Sequence, residues 1–147
     1  MRKLLIIVIV LVVLIGCSEF MKRMVVKELE FSLKSVSLIE YDISTMTVKV
    51  ALKAYNPNDI DAVIDRLDYS FYINEKNAAN GTTGRKVTVK AGKTETISTN
   101  LKINYLNLGS AILKAVKEKK ADFRVDGTVF VETPVGAITF PIELFYP

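Results

Sequence analysis

Apolar and polar residues alternate along most of the chain from residue 28 onwards. The clearest stretch covers 46–55, where the even positions are apolar and most odd positions are polar or charged. A period of two places every second side chain on the same face of a strand, so the pattern predicts strands with one buried face. Similar stretches predict seven strands, over 28–38, 46–55, 67–74, 87–89, 97–105, 123–131 and 138–146.

Local signals refine this prediction. The apolar positions of the first strand are odd up to Leu33 and even from Val36, and one extra residue near Ser35 would cause this change, so we predict a β-bulge there. Turns are predicted at 42–45, 91–93 and 133–136. Asn80-Gly81 favours a tight turn; alternatively, the glycines of this region interrupt a weak edge strand.

One segment has a helical period instead. Over 107–120 the apolar residues share one face of a helix, with Asn107 in position to cap its start and three lysines near its end. About seven strands at hairpin spacing, with this helix before the last two, predict an all-β fold with one helix. We expect an antiparallel β-sandwich.

The first seventeen residues have a different organisation. Arg2 and Lys3 precede twelve uninterrupted aliphatic residues, Leu4 to Ile15, which are followed by Gly16 and the only cysteine, Cys17. This order of charged, apolar and small segments is typical of a secretory signal, and twelve residues are short for a membrane span, which needs about 20.

The end of this segment resembles a bacterial lipobox, formed by Leu14, Ile15, Gly16 and Cys17. The resemblance implies cleavage before Cys17 and a diacylglycerol on its sulfur, which would hold the chain in the membrane. We therefore expect a signal peptide over 1–16, a lipidated N-terminus and spacer over 17–26, and one exported domain over 27–147. The alternative is an uncleaved signal anchor with a free thiol. In either case the domain lies outside the cytoplasm.

Composition narrows the function. The formal charge of +4 includes Arg2 and Lys3, which leaves +2 for the chain from Cys17, too little for a nucleic-acid surface. The chain contains no histidine, which removes the commonest general base and transition-metal ligand. A single cysteine excludes an intramolecular disulfide. We expect no enzyme, no metal and no cofactor.

Four surface features are candidate binding or modification sites. The acidic segment 58–68 lacks the spacing of a calcium loop, and we interpret it as a solvated loop edge. The lysines near the end of the helix are interpreted as a solvated helix end. Tyr55, Tyr72 and Tyr105 could line a surface for a partner or an apolar ligand, and Asn80-Gly81-Thr82 matches a glycosylation sequon.

The order of the elements also carries a likeness. A long strand ends in Asn56-Pro57-Asn58, and a late helix precedes a strand with the pattern Phe123-x-Val125-x-Gly127. From Lys27 to Tyr146 the chain resembles the late embryogenesis abundant type 2 family, or WHy domain. The resemblance implies an immunoglobulin- or fibronectin-III-like sandwich, no catalytic residues, and protection under dehydration or cold. It makes Asn56, Pro57, Asn58 and Gly127 family-motif residues with a structural role.

Two functions from different classes follow. The first is a lipid-anchored, non-enzymatic stress-protection protein of the cell envelope, whose partners are the membrane and client or envelope proteins. The second is a lipoprotein adaptor that holds an envelope protein or an apolar ligand through its sheet surface.

Overall fold

The computed structural model describes residues 27–134 and 136–146. The strands are numbered in chain order, and one α-helix, α1, follows a short 3-10 helix. The strands are β1 (Glu30–Tyr41), β2 (Thr45–Tyr55), β3 (Ala62–Ile73), β4 (Lys76–Thr82), β5 (Val87–Val89), β6 (Thr94–Asn104), β7 (Phe123–Thr133) and β8 (Gly136–Tyr146). The 3-10 helix is Tyr105–Leu108, and α1 is Ala111–Lys117.

These strands form two antiparallel sheets. One sheet has the order β1-β2-β6; the other has the order β4-β3-β7-β8, and β5 pairs with β3 beside β4. The two sheets face each other across the apolar core, and the helix precedes the last two strands. The predicted all-β sandwich with one helix is therefore confirmed. The described residues contain eight strands rather than seven, because β4 adds to the predicted set.

The alternation in β2 shows how the sequence builds the core. Its even positions, from Met46 to Ala54, face the opposite sheet and are almost fully buried. The hydrophobic core is made of residues between Leu29 and Leu144, and every strand pairs with another strand of this same part. A unit with its own core can in principle fold by itself. We therefore expect residues 27–147 to be a folding unit.

The predicted helix over 107–120 is wrong in its length and cap. Gly109 has φ 103°, a conformation that interrupts a helix and separates the 3-10 turn from the seven-residue α1. Asn104, not Asn107, caps the 3-10 helix, and its side-chain oxygen accepts the Leu106 N–H at 3.1 Å. Ile112 and Val116 on α1 are buried against the core as the period predicts.

Other predictions concern the strands. The β-bulge is confirmed, because the pairing of β1 with β2 shifts between Leu33 and Ser35; a second shift lies between Leu38 and Glu40. Asn80-Gly81 lies in the edge strand β4, so the second of the two interpretations holds. The tight turn lies earlier, where two consecutive residues have positive φ, Asn74 and Glu75.

Candidate functional site: the Asn-Pro-Asn network

The most buried polar side chain among the described residues belongs to Asn56, at the end of β2. It is fully buried. Its amide group donates to the carbonyl oxygens of Ile60 at 2.8 Å and Val89 at 2.9 Å. Its Oδ1 accepts from the Asn58 backbone N–H at 3.1 Å and from Asn58 Nδ2 at 2.9 Å. Because a buried amide without partners is costly, this residue is tolerated only through these four bonds.

Asn58 extends the network to the beginning of the described chain. The Lys27 N–H donates to Asn58 Oδ1 at 2.7 Å, and Asn58 Nδ2 donates to the Lys27 carbonyl at 2.9 Å. The side chain thus pairs with the Lys27 backbone as a neighbouring strand would. The segment that precedes β1 is fixed at the end of the sandwich where β2 stops.

Backbone bonds join the same end to the turn between β5 and β6. The N–H of Gly92 donates to the carbonyls of Asn56 at 3.0 Å and Asn58 at 3.1 Å, and the Asn56 N–H donates to Lys93. Pro57 lies between the two asparagines, where its ring fixes φ and removes a backbone donor. The network consists of amide and carbonyl groups, which do not ionise near neutral pH. The network therefore serves to position the chain segments that it joins.

Gly127, the fourth motif residue, has a separate role in β7. It pairs with Tyr69 on β3. A Cβ at this position would lie 2.6 Å from the Asp68 carbonyl oxygen and 2.9 Å from Leu67 Cδ1. Both distances are shorter than a side chain tolerates, so the close approach of β3 to β7 requires glycine here.

The three tyrosines do not form one surface, and that hypothesis is wrong. Tyr55 lies on β2, whereas Tyr72 lies on the other sheet beneath the Arg124 guanidinium, 4.2 Å from the ring centre. Tyr105 is buried in the 3-10 helix, and its hydroxyl donates to the Asp42 carbonyl at 2.7 Å. The sequence spacing gave no information about sheet membership.

The acidic segment is also placed differently. Residues from Ala62 onwards belong to β3 and Asn58 is buried, so the solvated-loop interpretation holds only for Asp59 to Asp61. Lys86 Nζ lies 2.9 Å from Asp65 and 3.1 Å from Glu132, which lowers the pKa of Asp65 and raises the pKa of Lys86. Within the described ranges no group of three or more acidic, cysteine or histidine residues could hold a metal ion.

The turn between β1 and β2 contains a second polar cluster. Asp42 accepts hydrogen bonds from the backbone N–H groups of Ser44 at 2.8 Å and Thr45 at 2.6 Å, and from the Thr45 hydroxyl at 2.7 Å. These donors stabilise the carboxylate and lower the pKa of Asp42 to about 2. The carboxylate therefore holds the turn closed at neutral pH.

Three features of the N-terminal prediction concern residues outside the described part. Leu14, Ile15, Gly16 and Cys17 lie there, as do the spacer and the predicted cleavage point. Among the described residues, no helix has the length and apolar character needed to cross a membrane. The Lys27–Asn58 contact is the first described feature that follows the spacer.

Comparison with known proteins adds the family. The model of the family described as "Late embryogenesis abundant protein" matches residues 51–144. A search of curated proteins returned no match. A protein from Arabidopsis thaliana with a known solution structure is 16% identical, covering 82% of this chain and 81% of its own, with a TM-score of 0.61. A candidate ApaA protein from Bordetella pertussis is 11% identical, covering 82% and 94%, with a TM-score of 0.54.

At these identities the two solved structures indicate a shared fold alone. The family match is broader evidence, because it covers more than half of the chain and includes seven of the eight described strands in whole or part. Two residues of the network, Asn56 and Asn58, and the close-packed Gly127 lie inside the matched range. The chain belongs to the late embryogenesis abundant type 2 family.

Proposed function

We propose that this protein is a lipid-anchored, non-enzymatic stress-protection protein of the WHy type, placed on the outer side of a cell membrane. The observation that carries the protective role is the family match over residues 51–144. The anchor is supported by the lipobox-like order that ends at Cys17. The proposal includes no catalysis, since the chain has no histidine and its buried network consists of amides.

The position of Lys27, the first described residue, indicates how an anchored sandwich would be oriented. Residues 17–26 form a ten-residue spacer between the proposed lipid and Lys27. Ten extended residues span at most about 35 Å, so the sandwich would stay within that distance of the membrane. Because Asn58 fixes Lys27 at one end of the sandwich, that end would face the membrane and the β1–β2 turn would face away.

Protection is tested with the folding unit, residues 27–147, without lipid. A freeze-labile enzyme is frozen and thawed with increasing amounts of this chain or of an inert protein of the same size. We expect more residual enzyme activity with the chain, at equimolar or lower ratios. Equal activity with the inert protein would reject the protective role and favour the adaptor function.

The anchor is tested separately on the full chain. Mass spectrometry of protein extracted from membranes should find an N-terminal peptide that begins at Cys17 and carries diacylglycerol. Cys17→Ala should abolish this mass and leave residues 1–16 attached. A wild-type N-terminal peptide with residues 1–16 intact and a free thiol would instead identify an uncleaved signal anchor.

A further inference from the structure

A groove runs along one side of the sandwich where the two sheets separate. β1 is an edge strand of its sheet and β8 is an edge strand of the other. They come together at Phe31 and Phe140, whose ring centres are 6.0 Å apart. Towards the other end, Lys117 of α1 binds the Tyr41 hydroxyl at 3.0 Å and lies over its ring. Between these two contacts the edges leave a groove of about 720 Å³.

β1 forms one wall of the groove with the part of its free edge that has regular strand geometry. The pairing with β2 shifts between Leu33 and Ser35 and again between Leu38 and Glu40, so Ser35–Leu38 is an uninterrupted stretch between two bulges. In an antiparallel strand, every second residue directs its N–H and C=O away from the paired neighbour. These four residues line the groove, and they offer about 13 Å of strand edge.

The other walls are apolar at the floor and positive at the rim. Val116, Ala121, Phe123 and Tyr146 contribute apolar surface, and Lys117 and Lys119 contribute the charges. None of the described residues that line the groove is acidic. A strand edge selects an extended backbone, an apolar floor selects alternate apolar side chains, and two lysines select a carboxylate.

We propose that this groove binds an extended peptide with alternating apolar side chains and an acidic end, which adds to β1 along Ser35–Leu38. The strand edge distinguishes this ligand from an amphiphile with an acyl chain, which has no backbone to pair. The two bulges limit the added strand to a short segment, which keeps the edge from pairing without limit. This proposal does not rest on the protective role. Each of the two is measured in its own assay, so one can fail without the other.

The test uses residues 27–147 and a fluorescein-labelled peptide of alternating valine and threonine that ends in two aspartates. Fluorescence anisotropy should show saturable binding. A peptide that ends in two lysines, and one whose valines are N-methylated, should each bind about tenfold more weakly. Equal binding of all three peptides, no saturable binding, or binding of labelled oleate but not of the acidic peptide would overturn the proposal.

Charge variants locate the site. Ser37 is exposed on the regular part of β1, so Ser37→Glu should weaken the acidic peptide about tenfold and Ser37→Lys should strengthen its binding. Ser98→Glu, at an exposed position on the other edge strand of the same sheet, is the matched control and should change nothing. Lys119→Asn removes the charge and introduces a residue that tolerates the φ of 56° at this position. It should weaken binding at low salt. Equal effects of Ser37→Glu and Ser98→Glu would place the peptide elsewhere.

Discussion

The side chain of Asn58 is paired with the backbone of Lys27 through two hydrogen bonds, of 2.7 and 2.9 Å, across 31 residues of sequence. The same side chain donates to Asn56, which is itself bonded to Ile60 and Val89. The end of β2, the beginning of the described chain and the end of β5 are therefore held by two neighbouring amides. Loss of either amide should have distinct consequences.

Asn58→Ala should release the Lys27 segment without unfolding the sandwich. The substitution removes both bonds to Lys27, and we expect a loss of about 1–2 kcal/mol in the free energy of unfolding, measured by urea denaturation of residues 18–147, in which Lys27 is an internal residue. Trypsin should cleave after Lys27 faster than in the wild type. Asn100→Ala, at an exposed position on β6, is the control and should leave both measurements unchanged. An unchanged cleavage rate in Asn58→Ala would contradict the conclusion that Asn58 holds Lys27 in place.

Asn56→Ala should be more destabilising. It leaves the carbonyls of Ile60 and Val89 without this donor at a fully buried position, and we expect a loss of about 3 kcal/mol. In a double-mutant cycle with Asn58→Ala, the combined loss should be smaller than the sum, because both single variants remove the bond between the two side chains. A strictly additive cycle would mean that the two amides act independently.

Gly127→Ala should destabilise the contact between β3 and β7. The added Cβ would meet the Asp68 carbonyl oxygen at 2.6 Å, and the strands must separate to accept it. We expect a loss of about 1–3 kcal/mol and a lower Tm by calorimetry. Gly84→Ala is the matched control, since nothing lies within 4 Å of its added Cβ. Equal Tm values for the two variants would show that β7 tolerates a side chain here.

Asp42 should give the fold a specific acid dependence. Its folded pKa of about 2 is below the ordinary value of 3.8, so its ionised form contributes stability that is fully present above about pH 4. That stability is lost as pH falls towards 2. The Tm of Asp42→Ala should therefore differ most from the wild-type Tm above pH 4, and the difference should shrink below it. Asp59→Ala controls for removal of one carboxylate, and a difference that stays constant down to pH 2 would contradict the turn's dependence on ionised Asp42.

Much of the sandwich could be predicted because its information is local. The alternation of β2 and the parity change near Ser35 each depend on side chains a few residues apart, and both predictions are confirmed. The predicted helix was longer than the observed one, because the apolar period continues across Gly109, whose φ of 103° ends the 3-10 turn. The hairpin turn was expected at Asn80-Gly81 and lies at Asn74 and Glu75, because Asn-Gly is the more characteristic turn sequence.

The site could be predicted only as a motif. Asn56-Pro57-Asn58 marks the end of β2 in the sequence, but its partners Lys27 and Val89 lie more than thirty residues away and contribute backbone atoms, which no side-chain pattern reveals. The groove beside β1 depends in the same way on how far the two sheet edges separate. The lipobox at Cys17 remains a prediction from the sequence.

The central claim is that the folded sandwich itself protects labile proteins. The most direct measurement compares the wild-type folding unit with a Gly127→Val variant, which keeps the composition almost unchanged but places a branched side chain against the Asp68 carbonyl and Leu67. We expect this variant to be unfolded, and circular dichroism checks this before both chains are frozen and thawed with the same enzyme at equal concentration. Protection by the fold predicts that wild type preserves activity and the unfolded variant does not. Equal protection by both chains, or by neither, would contradict it.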